Sequence, residues 1–144
     1  MAFHHALYVD HRPTVLKEPL LRFGEYRDFP ATLRSDVDAI LARPESRAYV
    51  AWRNAQPLGY ITGHYEDDPR RVIPRRGVIE DWFVDDAERG SGIGAALLDT
   101  LLDEFRRVGC GYVESTTWPD NVGARRAHEA AGFVLAEVKY RRAL

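Results

Sequence analysis

The sequence predicts one α/β or α+β sheet domain, and three observations carry that prediction. The apolar pattern changes period near Ala48, from helical spacing to alternation. A run rich in β-branched and aromatic residues, "GVIEDWFV", leads through a glycine turn into a long amphipathic segment. Beyond that segment, strand and helix patterns alternate to the last residues. A chain of 144 residues buries enough surface for one core, so a single domain over residues 1–144 is expected.

Taken in order, the first third is the least regular. "PTVLKEPLLRFGEYRDFP" is rich in apolar residues, yet Pro13, Pro19, Gly24 and Pro30 restrict helix to short pieces. Ser35 can cap "DVDAILARPE", in which Val37, Ile40 and Leu41 share a face and Pro44 marks the stop. "AYVAW" and "LGYITGHY" then form a hairpin around "RNAQP", followed by a polar loop and the strand "GVIEDWFV". The segment "GIGAALLDTLLDEFRRVG" sets Ile93, Leu97, Leu101, Phe105 and Val108 at helical spacing, with Gly109 or Gly111 as its end. "YVESTT" predicts a strand, "NVGARRAHEAAG" a short helix and "FVLAEVKY" a final strand.

Composition narrows the function. A net charge of −2 argues against a nucleic-acid binder, and no apolar run approaches the ~20 residues that span a bilayer. One cysteine, Cys110, excludes an internal disulfide, and the first residues lack the order of a signal peptide, so a cytoplasmic protein is expected. His4, His5 and His11 show no metal-like constellation and are expected at the surface, with no metal site.

The glycine turn carries the chemistry. Glycines between strand and helix let a ligand approach the backbone, and the free amides of a first helical turn favour an anion. Gly94 is followed by Ala95 and Ala96, which excludes a P-loop, and the spacing of Gly90, Gly92 and Gly94 does not fit a dinucleotide fingerprint. Arg89-Gly90-Ser91-Gly92-Ile93-Gly94 instead resembles the Arg/Gln-x-x-Gly-x-Gly/Ala signature of the GNAT acyltransferases. "NVGARRAHEAAGF" resembles that family's second signature, with Asn121, Ala124, Glu129, Gly132 and Phe133 at matching spacings.

The resemblance implies the GNAT fold, a central mixed and mostly antiparallel sheet that splays where acetyl-coenzyme A, the cosubstrate, binds. Amides of Gly90, Ser91, Gly92, Ile93, Gly94 and Ala95 would hold the pyrophosphate with help from Arg89. Backbone groups of Trp82, Phe83 and Val84 would pair with the pantetheine arm, which Asn121 would also touch. His128 stands where the family generally carries a tyrosine that protonates the departing thiolate; a thiol pKa near ~8.5 makes such help useful without being indispensable. Glu80 matches a glutamate that lies by the acceptor in sugar-amine acetyltransferases of the family. It is the candidate base, because an amine with a pKa near ~10 arrives protonated. Strict alternation would put Glu80 and Trp82 on one face and Asp81 and Phe83 on the other. Glu114, His64 and Tyr65 are lesser candidates for the cleft.

Acidic residues at the presumed mouth, Glu66 to Asp68 with Glu80 and Asp81, would draw a cationic amine. The chain begins as if at the end of the family's first helix, which would leave out the first strand. An uncovered sheet edge and the tail "VLAEVKYRRAL" both suggest a homodimer. The expected reaction is direct acetyl transfer from acetyl-coenzyme A to a primary amine of a small molecule in a ternary complex. A non-catalytic acyl-coenzyme A module and a protein or peptide N-acetyltransferase are the alternatives.

Overall fold

The computed structural model describes residues 2–144. Helix α1 (Ala2–His5), a π-helical segment (Ala6–His11) and α2 (Arg12–Val15) run on without a break, and a short 3-10 turn follows at Arg22–Gly24. Helix α3 spans Phe29–Ala42. It starts six residues before the expected cap at Ser35: Asp28 is the N-cap, accepting from the Ala31 amide at 3.1 Å. Pro30 falls in the first turn, where a missing N–H costs nothing, so a residue read as a breaker begins the helix.

Strands β1 (Ser46–Arg53), β2 (Gln56–Asp67) and β3 (Arg75–Val84) form an antiparallel meander, and β4 (Tyr112–Ser115) adds in parallel to β3. The order is β1-β2-β3-β4, and among the described residues no strand precedes β1. The hairpin turns on Asn54 and Ala55, both at positive φ (47° and 65°), as a two-residue turn with right-handed strand twist requires.

Helix α4 (Ile93–Arg107) lays Leu97, Leu98, Leu101 and Phe105 on Ile61 and Ile79 to make the core. Leu101 and Phe105 are almost wholly buried, each worth about 1.5–3 kcal/mol of apolar burial. Gly109, at φ +85°, ends α4, and the Cys110 amide reaches back to the Phe105 carbonyl at 2.9 Å. Helix α5 (Val122–Ala130) is capped by Asn121, whose side chain accepts from the Ala124 amide at 3.1 Å.

Two expectations are corrected here. "FVLAEVKY" is not a strand: after the Phe133 amide bonds to His128, no backbone pairing follows, and Val134, Leu135, Val138 and Tyr140 are exposed. Its β-propensity has no ladder to join, because strand preference is realised only against a neighbour. The alternation expected along β3 also breaks. Thr62 pairs with Asp81 but Gly63 with Ile79, so Glu80 is an extra residue, a β-bulge.

Candidate active site

Beyond Ile79 and Ser115 the parallel pairing of β3 and β4 stops, so the two strands part. A cleft of ≈ 1170 Å³ opens between them, lined by Ile79–Val84 on one side and Ser115–Trp118 on the other. Helix α4 starts at its floor, and Leu7, Tyr8 and His11 wall the opposite end. This is the splayed sheet that the sequence led us to expect.

The edge of β3 facing the gap is set by hydrogen bonds on its other side. The Asp81 amide donates to Thr62 Oγ1 at 3.2 Å and the Asp85 amide to the Leu58 carbonyl at 2.9 Å. Since peptide groups alternate along a strand, those of Trp82 and Val84 point into the gap, while that of Phe83 faces β2. The Phe83 ring is buried against Phe3, with ring centroids 5.4 Å apart, and contributes packing.

The glycine turn delivers free donors to the same place. Gly90 and Gly92 stand at φ +80° and +88°, and a Cβ on either would meet nothing within 4 Å, so no side chain crowds the turn. Gly92 caps α4 without a side-chain bond, and the amides of Gly90, Gly92, Ile93, Gly94 and Ala95 make no backbone bond. Five donors at the positive end of a helix suit a pyrophosphate, so the residues present fit the expected coenzyme. Ser91 differs from the expectation: its amide donates to the Glu88 carbonyl at 3.3 Å and its hydroxyl to the same oxygen at 2.5 Å. Arg89 lines the cleft and is held by Asp86 at 2.5 Å. The Trp82 indole donates to the Gly94 carbonyl at 3.1 Å, tying β3 to this turn.

His128 and Asn121 come from α5. His128 is half-buried between the rings of Trp82 and Phe133, edge-on to both at 5.4 and 5.3 Å. Its Nδ1 lies 2.6 Å from the Ala124 carbonyl and its Nε2 2.7 Å from Ser115 Oγ. Asn121 spends Oδ1 on the helix cap and sets Nδ2 3.3 Å from His11 Nε2.

The bulge at Glu80 reshapes the far end of the cleft. Tyr60, Thr62 and His64 alternate onto the face of β2 opposite α4. Glu80 Oε1 lies 3.2 Å from His64 Nδ1 and 3.9 Å from Arg43, while Asp81 accepts from Thr62 and Tyr8 at 3.2 and 3.3 Å. Both carboxylates therefore share that face, and Trp82 occupies the α4 face, against the expected alternation.

Asp81 is buried together with His4, whose Nδ1 lies 3.1 Å from its carboxylate and 2.9 Å from the Tyr60 hydroxyl. His4 is thus no surface group: it sits where α1 meets the sheet and is satisfied by two partners. Burial first, and Asp81 second, push the hydroxyls of Tyr8 and Tyr60 up. His11 faces the cleft as well, held down by burial and then by Arg89, while His5 is exposed.

Other expectations fare differently. Glu114 pairs with Arg76 at 3.0 Å, and Tyr65 lies on the α4 side beneath Arg75, so neither lines the cleft; of the lesser candidates only His64 stands beside Glu80. The acidic mouth is neutralised: Glu66 pairs with Arg76, Asp67 with Arg75, and Asp68 with Arg70 and Arg71. Tyr8, Ser115 and Trp118 also line the cleft, and nothing in their local sequence marks them as cleft residues. Among the described residues no group of three or more His, Cys, Asp or Glu could hold a metal, and no helix is long and apolar enough to cross a membrane.

With this geometry in place, known proteins settle the family. The model of the acetyltransferase (GNAT) family matches residues 12–133. The chain belongs to the GNAT acetyltransferase family. Among its GNAT relatives, a mycothiol acetyltransferase of Sanguibacter keddieii is 34% identical over 119 residues, covering 81% of this chain and 38% of that protein. An L-2,4-diaminobutyric acid acetyltransferase of Streptomyces anulatus is 35% identical over 104 residues, covering 69% and 47%. The chain thus spans less than half the length of either relative. Its fold matches an aminoglycoside 6'-N-acetyltransferase structure from Acinetobacter haemolyticus with a TM-score of 0.69 at 21% identity, covering 86% of this chain and 88% of that one.

Proposed function

We propose that this GNAT chain transfers an acetyl group from acetyl-coenzyme A to a primary amine of a small molecule, by direct attack in a ternary complex. One observation carries the reading: the unpaired edge at Trp82 and Val84 runs from Glu80 to five free amides around the start of α4. Coenzyme A, when bound, supplies the activated acetyl group as a thioester. The amides of Gly90, Gly92, Ile93, Gly94 and Ala95, with Arg89, would hold its pyrophosphate, and Trp82 and Val84 would pair with its arm. The Val84 amide, which faces the gap, would polarise the thioester carbonyl. Glu80 would take the proton of the amine, directly or through one water, and His128 would assist the departing thiolate.

The names of relatives support a small amine: mycothiol and diaminobutyric acid acetyltransferases. A thiol-release assay over a panel of small amines, paired with calorimetry of acetyl-coenzyme A, tests the reading. Release dependent on one class of small amine is expected. Binding without release would make the chain a non-catalytic acyl-coenzyme A module, and release with peptides alone would make it a peptide N-acetyltransferase.

The same reading includes a homodimer. The outer edge of β4 is unpaired, and residues 134–140 expose Val134, Leu135, Val138 and Tyr140 without backbone bonds, so a second copy offers each what it lacks. A monomer mass by light scattering that holds across concentrations would refute it.

A further inference from the structure

The hydrogen bonds of His128 fix which of its nitrogens carries a proton. A carbonyl only accepts, so Nδ1, 2.6 Å from the Ala124 oxygen, must be the N–H of the neutral ring. Nε2 is then a lone pair, and at 2.7 Å it accepts from the Ser115 hydroxyl. Protonation reverses that second bond alone: Nε2–H donates to Ser115 Oγ, and the serine proton is free to turn elsewhere. Both side chains line the cleft between the parted strands.

We propose that Ser115 is the group that protonates the leaving thiolate and that His128 acts only through it. This rests on the acetyl-transfer reading above. As the amine nitrogen bonds to the acetyl carbon, the carbon–sulfur bond breaks and its electron pair goes to sulfur. Ser115 Oγ–H gives its proton to that sulfur and takes the Nε2 proton of the imidazolium in the same movement. The ring returns to its neutral Nδ1–H form, still bonded to Ala124, and Glu80, having passed the ammonium proton to solvent before the attack, takes the second proton that the nitrogen sheds as the amide forms. His128 is therefore a positioning residue and Ser115 the catalytic one. The tyrosine expected from the family is absent at this place; here two residues from two elements, β4 and α5, share its task.

The neighbours of the imidazole make the relay dependent on pH through the ring itself. Packed on it are Trp82 of β3, Ser115 of β4, the Ala124 carbonyl of α5 and Phe133 beyond that helix, none of them ionic. Deprotonating the ring pulls the serine proton toward Nε2 and away from the cleft.

Two measurements test this. Nitrogen-15 NMR of the histidine-labelled protein, assigned with His128→Gln, is expected to show a protonated Nδ1 and a bare Nε2 in the neutral form of the ring. The opposite tautomer overturns the proposal without any assay. In steady-state kinetics on an amine that the wild type acetylates, Ser115→Ala is expected to lower kcat by about 10- to 100-fold, with KM for acetyl-coenzyme A within about twofold. Ser115→Thr, which keeps a hydroxyl, recovers most of the loss. An alkaline fall of kcat is expected in the wild type and is expected to disappear in Ser115→Ala, and adding His128→Gln is expected to cost at most about twofold more. Full kcat in a folded Ser115→Ala, or losses that multiply in the double variant, overturn the relay and leave acetyl transfer standing. A wild type that binds acetyl-coenzyme A and acetylates nothing overturns both.

Discussion

Glu80 and Asp81, adjacent in sequence, present their carboxylates to the same face of the sheet, because Glu80 is the unpaired residue of a β-bulge. The two groups are separated by burial. Asp81 is 4% exposed and held by Thr62, Tyr8 and His4, whereas Glu80 keeps its carboxylate partly open at the cleft. Glu80→Gln is expected to lower kcat by about 100-fold or more with an unchanged melting temperature. Asp81→Asn is expected to cost about 1–3 kcal/mol in a denaturant titration, since it removes an acceptor from the buried hydrogen bonds with Thr62, Tyr8 and His4.

The glycine turn separates conformational from steric need. Gly92 stands at φ +88°, so Gly92→Ala is expected to cost about 1 kcal/mol of stability and to weaken coenzyme A binding. Gly94 has an ordinary backbone, and a Cβ there would touch Val84 Cγ2 at 3.4 Å, which is normal contact. Gly94→Ala is expected to hold or raise the melting temperature while weakening the same binding, as read by calorimetry.

How far the site was legible in sequence follows from these residues. The turn and the helix after it were legible because glycine spacing and a 3.6-residue apolar period are local signals, and Ile93–Arg107 matches its prediction closely. The bulge was not, since an extra residue on one strand shows only against its partner, here Thr62 and Gly63. The partners of His4 and His128 lie 77 and 13 residues away in Asp81 and Ser115, and such pairings are products of the fold. The tail "FVLAEVKY" misled for the same reason, having strand composition without a partner strand.

A core position gives a test of packing alone. A Cβ on Gly77 would lie 2.4 Å from Phe105 Cδ2 and 2.6 Å from Val113 Cγ2. Gly77→Ala is expected to destabilise by about 1–3 kcal/mol through overpacking, measured by urea unfolding, with coenzyme affinity per folded molecule unchanged.

Glu104 supplies a pH dependence with a definite sign. Arg107 first and Arg47 second, at 2.7 and 2.6 Å, hold its carboxyl down to about 2 from an ordinary 4.5. Its stabilising contribution is complete above pH 4.5 and is lost as pH falls toward 2. Glu104→Gln is therefore expected to lower the melting temperature at pH 7 and to narrow its gap from the wild type at pH 3.

The indole of Trp82, bonded to the Gly94 carbonyl and edge-on to His128, gives the molecule an optical reporter of its own. Occupation of the glycine turn alters the field along that bond, and ionisation of the imidazole quenches the ring beside it. Trp52 is 62% exposed on the far strand and gives a constant background, whereas Trp118 also lines the cleft, so Trp118→Phe isolates the Trp82 signal. In that variant, filling of the cleft and the charge of His128 can be followed by light alone, without any label.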